Sequence, residues 1–309
     1  MSRSWADEVS PVRPCPPPAA HGGDGARLAA ALGVAPDEVL DLSASLNPCA
    51  PDVVALASRH LGRLRRYPDP AEATAALAAA VGVDADRLLL TAGGSEAIAL
   101  VAHHRGTGHV EGPEFSLYER HLRPGPGRWR SNPNNPRGTL AAPTDRAAVW
   151  DEAFWPLAAG TWTRGDADRG SFVVGSLTKV FACPGLRVGY VIAPTPESAD
   201  RLRRRQPLWS VSGLACALVP DLLDRTDLPA WHTAVAHLRA DLASLLRHHG
   251  HTVAVANAPW VLVSPAGDLR PNLAAHGILV RDCASFGLVD TARIAVPDRA
   301  GLDRLAAAL

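Results

Sequence analysis

The sequence predicts an α/β fold in which a mostly parallel sheet domain is followed by a smaller α+β domain. Two observations carry this prediction. Short buried runs such as SFVVGS and RVGYVIAP indicate strands, and they alternate with helical segments over residues 51–208, as in parallel sheets. Over residues 209–309, long helices rich in Ala, Leu and Arg precede several short strands, which indicates a second, smaller domain.

The first part of the chain is predicted to contain a tail, two helices and a strand-turn-helix unit. Residues 1–20 are rich in Pro and are expected to form a flexible tail, and residues 21–50 an N-terminal arm that joins the small domain. GARLAAALGVAPDEVL and PDPAEATAALAAAVGV both have helical spacing. RLLLTAGGSEAIALVAHH combines a buried strand, a glycine turn and a helix that begins at Ser95 or Glu96.

The predicted strands that follow end at polar residues. AAVWDEAFW ends near Asp151, and SFVVGSLTK ends in the run from Ser176 to Lys179. Because ligands of parallel sheets bind at the carboxyl ends of the strands, these residues and the glycine turn are expected to form one site. In the small domain, HTVAVAN, WVLVSP, GILVRD and ARIAVP are predicted to be strands.

Composition excludes several classes of partner. Basic and acidic residues balance at 31 each, so charge favours neither nucleic acid nor an anionic membrane as a partner. The five cysteines include no C-x-x-C pair of the kind found in zinc or redox sites, and an odd number of spread cysteines fits a reducing cytoplasm. No signal-peptide core and no apolar run of about 18 residues is found, so neither secretion nor membrane spanning is expected.

Lys179 is the only lysine among the 31 basic residues of the chain. Arginine stays protonated, whereas a desolvated lysine can lose its proton and act as a nucleophile, as Schiff-base chemistry requires. The retained lysine is therefore a candidate catalytic residue, although a single lysine could also have escaped the bias towards arginine.

The surroundings of this lysine indicate a phosphate site. Ser176 and Thr178 offer hydroxyl groups, and Arg187 offers a guanidinium fork. The turn AGGSEA could add backbone N–H groups at a helix N-terminus, although it is not a dinucleotide-binding fingerprint. Asp151 is either a second site residue or an ordinary helix cap.

Three motifs in this order, NPNNPRG, DEAFW and SLTKVFACPGLRVGY, resemble the class I/II pyridoxal-phosphate aminotransferase superfamily, over about residues 21–296. More narrowly, HGGDGARLAAALGVAPDEVLDLSASLNPCAP, RYPDP and GILVRDCASFGL resemble threonine-phosphate decarboxylases and related proteins of cobalamin biosynthesis, with histidinol-phosphate aminotransferases as close relatives. The resemblance implies the fold type I architecture of pyridoxal-phosphate enzymes, in which a large, doubly wound and mostly parallel sheet domain and a smaller α+β domain close over the cofactor, pyridoxal 5'-phosphate.

The resemblance also implies roles for residues around the cofactor. Lys179 matches the lysine that forms the Schiff base and later moves the proton, and Asp151 matches the carboxylate facing the pyridine nitrogen. Asn135 matches the donor to the phenolic oxygen of the ring, and Phe115 the stacked aromatic residue, although a Phe is also commonly core. The residues that match the phosphate cradle are Gly94, Ser95, Glu96, Ser176, Thr178 and Arg187.

Further matches concern the substrate and the partner subunit. Tyr67 matches a tyrosine that reaches the cofactor phosphate of the neighbouring subunit, which implies a homodimer with shared sites. Arg293 matches the arginine that grips the substrate carboxylate. Asn47 and Arg281 match positions near the substrate, where Arg281 would help to bind a distal phosphate or else lie at the surface. His21 belongs to the HGG start and is expected to close over the site.

The chain departs from the pattern of the family in its middle segment. Only 19 residues separate Phe115 from Asn135, and only 15 separate Asn135 from Asp151, where relatives carry another strand and most of a helix. Arg137 stands where relatives have Thr, and Ser45 where the cobalamin-pathway relatives have Asn.

Three functions remain open at this point. The preferred one is decarboxylation of a phosphorylated amino acid such as threonine phosphate. The second is transamination of the histidinol-phosphate type, with Lys179 as acid and base. The third is a shortened, non-catalytic protein that binds the cofactor. All imply a small-molecule ligand and no nucleic-acid or membrane partner.

Overall fold

The structure is a computed structural model that describes residues 15–309. The predicted tail over residues 1–20 therefore lies largely outside the described residues, and the domain boundaries stay predictions. The strands are β1 (Leu40–Leu42), β2 (Leu88–Thr91), β3 (Gly108–Val110), β4 (Pro124–Ser131), β5 (Val149–Asp151), β6 (Phe172–Ser176), β7 (Gly189–Ile192), β8 (Val253–Val255), β9 (Trp260–Val263), β10 (Ile278–Asp282) and β11 (Ala292–Ala295).

Twelve α-helices are found in residues 15–309. They are α1 (Gly25–Leu32), α2 (Val53–Ser58), α3 (Ala71–Val81), α4 (Gly94–Arg105), α5 (Leu117–His121), α6 (Trp155–Ala159), α7 (Leu177–Val180), α8 (Pro196–Arg203), α9 (Gly213–Leu223), α10 (Leu228–His248), α11 (Leu269–Ala274) and α12 (Arg299–Ala306). In this part of the chain, none of them combines the length and the apolar character that crossing a membrane requires.

Six strands form the large sheet, in the order β2-β7-β6-β5-β4-β3. The pairs β3-β4, β4-β5 and β5-β6 are parallel, and β7 runs antiparallel to both of its neighbours. Both faces of this sheet are covered, so Val173 packs into one apolar cluster while its neighbours Phe172 and Val174 pack into the other. The doubly wound, mostly parallel sheet predicted from the sequence is confirmed.

The second sheet has five strands in the order β1-β10-β11-β9-β8. The four strands predicted in the last part of the chain are all present. The fifth, β1, comes from the N-terminal part of the chain and pairs in parallel with β10, where Leu42 lies opposite Val280. Both residues belong to an apolar core that also contains residues of α10 and α12.

The segment between β4 and β5 is short and irregular. Residues 132–148 contain neither helix nor strand, although a parallel pair needs a crossover and usually uses a helix for it. The connection from β3 to β4 contains only the five-residue helix α5. Both shortened stretches lie next to the carboxyl ends of β4 and β5, where Ser131 pairs with Asp151.

Candidate active site

A cavity of about 180 Å³ lies at the carboxyl ends of the parallel strands β4, β5 and β6 and at the N-terminus of α4. Residues from the N-terminal arm, both sheets and α7 line it. The sequence-predicted site residues on its wall are His21, Gly94, Ser95, Phe115, Asn135, Asp151, Ser176, Thr178, Lys179, Arg187, Arg281 and Arg293.

Lys179 lies in the short helix α7, directly after β6. Burial, together with the charges of the nearby Arg293 and Arg187, lowers the pKa of its amine to about 8, while Asp151 and Asp41 oppose the shift. The Nζ atom lies 5.8 Å from the centre of the Phe154 ring. About a tenth of this amine is therefore uncharged at pH 7, far more than for an ordinary lysine, and the uncharged form is the nucleophile.

Asp151 is the last residue of β5, and its carboxylate accepts two hydrogen bonds. The Tyr118 hydroxyl donates to one oxygen at 2.7 Å, and the Ala153 N–H donates to the other at 2.9 Å. Burial raises the pKa of Asp151, while these hydrogen bonds and the charge of Lys179 oppose the rise. A positively charged ligand atom beside this carboxylate would favour its ionised form.

The N-terminus of α4 forms one end of the cavity. Gly93 precedes the helix with φ +81°, and a Cβ atom built on it would lie 2.5 Å from Nη2 of Arg187. Glycine is needed here both for this backbone conformation and for the close approach of the guanidinium. Helix N–H groups, three hydroxyls and Arg187 thus line one end of the cavity, an arrangement that suits an anionic group. The hydroxyls belong to Ser95, Ser176 and Thr178.

Two buried arginines form the opposite end of the cavity. Arg281 and Arg293 lie directly opposite each other on β10 and β11. Arg293 donates from Nη1 to Oδ1 of Asn135 at 2.5 Å, and Arg281 donates from Nη2 to the Ala20 carbonyl at 2.6 Å. Burial, followed by the charge of Arg281, lowers the pKa of Arg293 to about 10.

Several of the donors at this end have no partner. Within residues 15–309, Nε and Nη1 of Arg281, Nε of Arg293 and Oγ of Ser45 are buried without a hydrogen-bond partner. Unpaired buried donors are costly, so their concentration around one cavity indicates that an anionic ligand binds there.

The aromatic side of the cavity combines predicted and unpredicted residues. His21 and Phe115 have ring centroids 5.4 Å apart, and burial together with Arg281 and Arg120 lowers the pKa of His21. On the far side, Trp260 donates to the Pro136 carbonyl at 2.8 Å, and its ring centre lies 4.9 Å from the Arg293 guanidinium. Trp260 therefore braces both Arg293 and the NPNNPRG segment.

Three predicted residues do not reach the cavity wall. The Glu96 carboxylate turns back and accepts from the Ala92 N–H at 2.6 Å, so its side chain is not part of the anion site. The Asn47 amide donates to the Val180 carbonyl at 2.8 Å, which braces the turn around the lysine instead of facing a substrate. Tyr67 is 79% exposed and lies away from the cavity.

The sequence interpretation missed several residues that the fold brings to the site. Tyr118 stands three residues after Phe115 in the same short motif, so a second aromatic residue on the same helical face was a usable signal. Ser131 directly precedes the NPNNPRG motif. Phe286 and Trp260 carry no local signal, because both reach the site only through the pairing of the small sheet.

Comparison with known proteins identifies relatives over nearly the whole chain. The family profile described as aminotransferase class I and II matches residues 129–309. The chain is 30% identical to threonine-phosphate decarboxylase of Salmonella typhimurium, covering 94% of this chain and 95% of that protein. The alignment spans 357 positions, more than the 309 residues of this chain, so the relative has residues that this chain lacks.

Other relatives are histidinol-phosphate aminotransferases. Histidinol-phosphate aminotransferase 2 of Methylococcus capsulatus is 27% identical, covering 88% of this chain and 89% of that protein. Among solved structures, histidinol-phosphate aminotransferase of Sinorhizobium meliloti in complex with pyridoxal-5'-phosphate has a TM-score of 0.78 at 18% identity, covering 92% and 93% of the two chains. L-threonine-O-3-phosphate decarboxylase of Porphyromonas gingivalis has a TM-score of 0.73 at 21% identity, covering 87% and 98%. These two structures share the fold.

Proposed function

Because the chain belongs to the aminotransferase class I and II family, we propose that it is a pyridoxal-phosphate-dependent enzyme that decarboxylates a small phosphorylated amino acid. The position of Arg281 in the site supports a phosphorylated substrate. Arg281 lies beside Arg293 and keeps two buried donor atoms, Nε and Nη1, without a partner in the described chain. One arginine suffices for the substrate carboxylate, so the second is available for a second anionic group.

The site residues fit the cofactor. The α4 N-terminus, its neighbouring hydroxyls and Arg187 suit a phosphate group, and Asp151 suits a protonated ring nitrogen. Four cations, Lys179, Arg187, Arg281 and Arg293, face the cavity with the single carboxylate of Asp151. This excess of positive charge matches a cofactor phosphate together with a substrate that carries two anionic groups.

Each residue has a defined task in this proposal. When bound, pyridoxal phosphate supplies an aldehyde and a ring that withdraws electrons from the substrate α-carbon. Lys179 would supply the uncharged amine that combines with this aldehyde, and it would afterwards hold or deliver a proton at Nζ. Asp151, which accepts from the Tyr118 hydroxyl, would supply the negative charge that favours a protonated ring nitrogen. Arg293 holds the substrate carboxylate, and the orientation it imposes decides whether carbon dioxide or a proton leaves the α-carbon.

Transamination is the second candidate, because relatives of both names align over most of the chain. Phe154 supports decarboxylation, since its apolar ring, centred 5.8 Å from Nζ of Lys179, offers no hydroxyl group to the cofactor, whereas the family resemblance implies a hydroxyl at this position in many aminotransferases. The complete set of Lys179, Asp151, Asn135 and Arg187 on the cavity wall supports an active enzyme over a non-catalytic binding protein.

An assay with both substrate types separates these candidates. The protein, loaded with cofactor, is incubated with O-phosphothreonine, and separately with histidinol phosphate and 2-oxoglutarate. We expect carbon dioxide release from the first substrate, and its loss in the Lys179→Arg variant. Glutamate formation with histidinol phosphate and no carbon dioxide from O-phosphothreonine would instead identify an aminotransferase, and cofactor binding without either product a non-catalytic protein.

The assembly we propose is a homodimer in the cytoplasm. The rings of Tyr67 and Trp209 lie with their centroids 4.6 Å apart, and both side chains are exposed. Leu208, next to Trp209 in the chain, is 79% exposed. An exposed apolar group of this kind supports an interface with a second copy of the chain, in which Tyr67 reaches the cofactor phosphate of the partner. The free cysteines, three of them buried, support a reducing compartment.

A further inference from the structure

Glu114 is a buried carboxyl group next to the site, and the proposed reaction does not use it. It precedes Phe115 and is 8% exposed. Its Oε2 atom accepts two hydrogen bonds from one residue, Ser131: the backbone N–H donates at 3.1 Å, and the hydroxyl group donates in a short hydrogen bond. Both contacts lie at the carboxyl end of β4.

The Ser131 hydroxyl connects Glu114 to the cavity. Its oxygen accepts the backbone N–H of Asn135 at 2.8 Å. A hydroxyl has a single proton, so by accepting that proton Glu114 leaves the oxygen lone pairs free for Asn135. The Asn135 side chain in turn lines the cavity and contacts Arg293. Removing the Glu114 carboxyl would release the hydroxyl proton to compete for other acceptors.

The charged surroundings of Glu114 are few. Asp151 pairs with Ser131 in the sheet, and its charge adds to the rise in the pKa of Glu114 that burial causes. The Tyr118 hydroxyl donates to Asp151, and burial and the charges of both carboxyl groups raise the pKa of Tyr118. Burial is the main cause of the rise, which brings the pKa of Glu114 to about 7, while hydrogen bonds from Ser131 and Asn134 oppose it.

We propose that Glu114 is a positioning residue of the cofactor pocket, which orients the Ser131 hydroxyl and thereby fixes Asn135 against the bound cofactor ring. The inference rests on the proposed function, since Asn135 is the expected donor to the ring oxygen. Glu114 itself touches neither cofactor nor substrate.

The test compares Glu114→Ala, Glu114→Gln, Ser131→Ala and the control Glu119→Gln, an exposed glutamate on α5. The equilibrium dissociation constant for pyridoxal phosphate and the pH midpoint of its visible absorption change are measured for each variant. We expect Glu114→Ala and Ser131→Ala to weaken cofactor binding by about tenfold. Both should raise the pH midpoint by about one unit, because a misplaced donor no longer stabilises the ring oxygen after proton loss.

Glutamine at position 114 separates positioning from folding. Its amide oxygen still accepts from Ser131, so Glu114→Gln should restore the spectral midpoint to within about a third of a unit of the wild type. Glu119→Gln should match the wild type in both measurements. A Glu114→Ala variant that folds and binds cofactor with an unchanged midpoint would overturn the proposal, as would a Glu114→Gln variant that behaves like Glu114→Ala.

Thermal unfolding of the protein without cofactor gives an independent readout. A carboxyl group with a raised pKa in the folded state stabilises the fold below its unfolded pKa, and this contribution is lost as the pH rises through about 7. Between pH 5 and 8 the loss of stability with rising pH should be smaller in Glu114→Gln than in the wild type, with Glu152 and Asp151 causing the remainder. An unchanged pH dependence would show that Glu114 does not titrate in this environment. Absence of a cofactor band in the wild type would contradict the proposed function instead.

Discussion

At the scale of the residue, Lys179 is the side chain that no other residue of this protein can replace. It is the only lysine, and burial with two flanking arginines lowers its pKa to about 8. Arginine at the same position would keep its charge at every physiological pH. A lysine is therefore needed at this position, and the two arginines favour its uncharged, reactive form.

The first prediction concerns the pH at which this amine becomes reactive. The rate at which cofactor-free protein takes up pyridoxal phosphate should rise with pH around a midpoint near 8, because only the uncharged amine attacks the aldehyde. Arg293→Gln removes a positive charge that lowers the pKa, so it should move the midpoint upward. Stopped-flow absorbance over pH 6 to 10 measures both. A midpoint in Arg293→Gln at or below that of the wild type would contradict the electrostatic account.

The second prediction concerns substrate choice by Arg281. Arg281→Gln should raise the KM for O-phosphothreonine by about 100-fold, the loss expected for two charge-assisted hydrogen bonds, and should leave an unphosphorylated analogue almost unaffected. Arg270→Gln is the matched control, since Arg270 lies outside the cavity and contacts Pro16. Equal losses for both substrates would mean that Arg281 does not recognise the phosphate.

Residues of the site differ in how far the sequence could predict them. Lys179, Asp151 and Arg187 each lie in a sequence motif, and the neighbouring residues in that motif indicate their chemistry. Glu114 could not be found in this way, because its contact with Ser131 joins positions 17 residues apart through the pairing of strands. Glu96 stays a prediction as part of the phosphate cradle, and only its backbone is available for that role, since its carboxylate accepts from the Ala92 N–H.

At the scale of the element, β5 shows how a shortened connection is compensated. Residues 132–148 provide no helix to cover Trp150. The Arg164 guanidinium lies 4.4 Å from the centre of the Trp150 ring, and the Arg130 guanidinium lies 5.6 Å from it. Arg164 also pairs with the fully buried Asp166 at 2.6 Å. Two guanidinium groups therefore cover the Trp150 ring beside the shortened segment.

The third prediction tests this compensation. Arg164→Ala should lower the free energy of unfolding by about 3 kcal/mol, because it removes the stacked cation and weakens the pairing of a buried carboxylate. Arg169→Ala removes the more exposed of the two arginines that pair with Asp166 and should cost about 1 kcal/mol or less. Urea unfolding of the cofactor-free protein measures both changes. Equal values would show that stacking on Trp150 contributes nothing.

Most elements were predictable because their signal is local. The runs that form β5, β6 and β7 are short, apolar and bounded by polar residues or turns, and each is a buried strand in the structure. The helix predicted over GARLAAALGVAPDEVL was too long, because Gly33 adopts φ +71° and ends α1 at Leu32. The pairing of β1 with β10 joins positions more than 230 residues apart, so no local pattern indicates it.

At the scale of the whole molecule, the proposed homodimer would bring Tyr67 of one copy to the cofactor site of the other. Tyr67 is exposed in the single chain, and the apolar surface around it includes Leu208 and Trp209. Burying such side chains in a second copy would remove them from water at a gain of about 25 cal/mol per Å² of apolar surface. The charge balance of the chain adds no long-range repulsion between two copies.

The fourth prediction is that Leu208→Glu weakens self-association. A charge introduced into an apolar interface must be desolvated without a partner, so the variant should sediment as a monomer at concentrations where the wild type is a dimer. It should also bind pyridoxal phosphate less tightly, since Tyr67 then lacks its target. Val289→Glu is the control, because Val289 is similarly exposed, at 82%, and lies between β10 and β11 of the second sheet. A dimeric Leu208→Glu protein would place the interface elsewhere.

The central claim is that Lys179 forms a covalent bond with the aldehyde of the cofactor. The most direct measurement is to load the wild-type protein with pyridoxal phosphate, reduce it with borohydride, digest it and locate the modified residue by mass spectrometry. The account predicts one pyridoxyl group per chain, on Lys179, and none in Lys179→Arg. Modification of the N-terminal amine alone, or no stable modification in a protein that shows the visible absorption band, would contradict it.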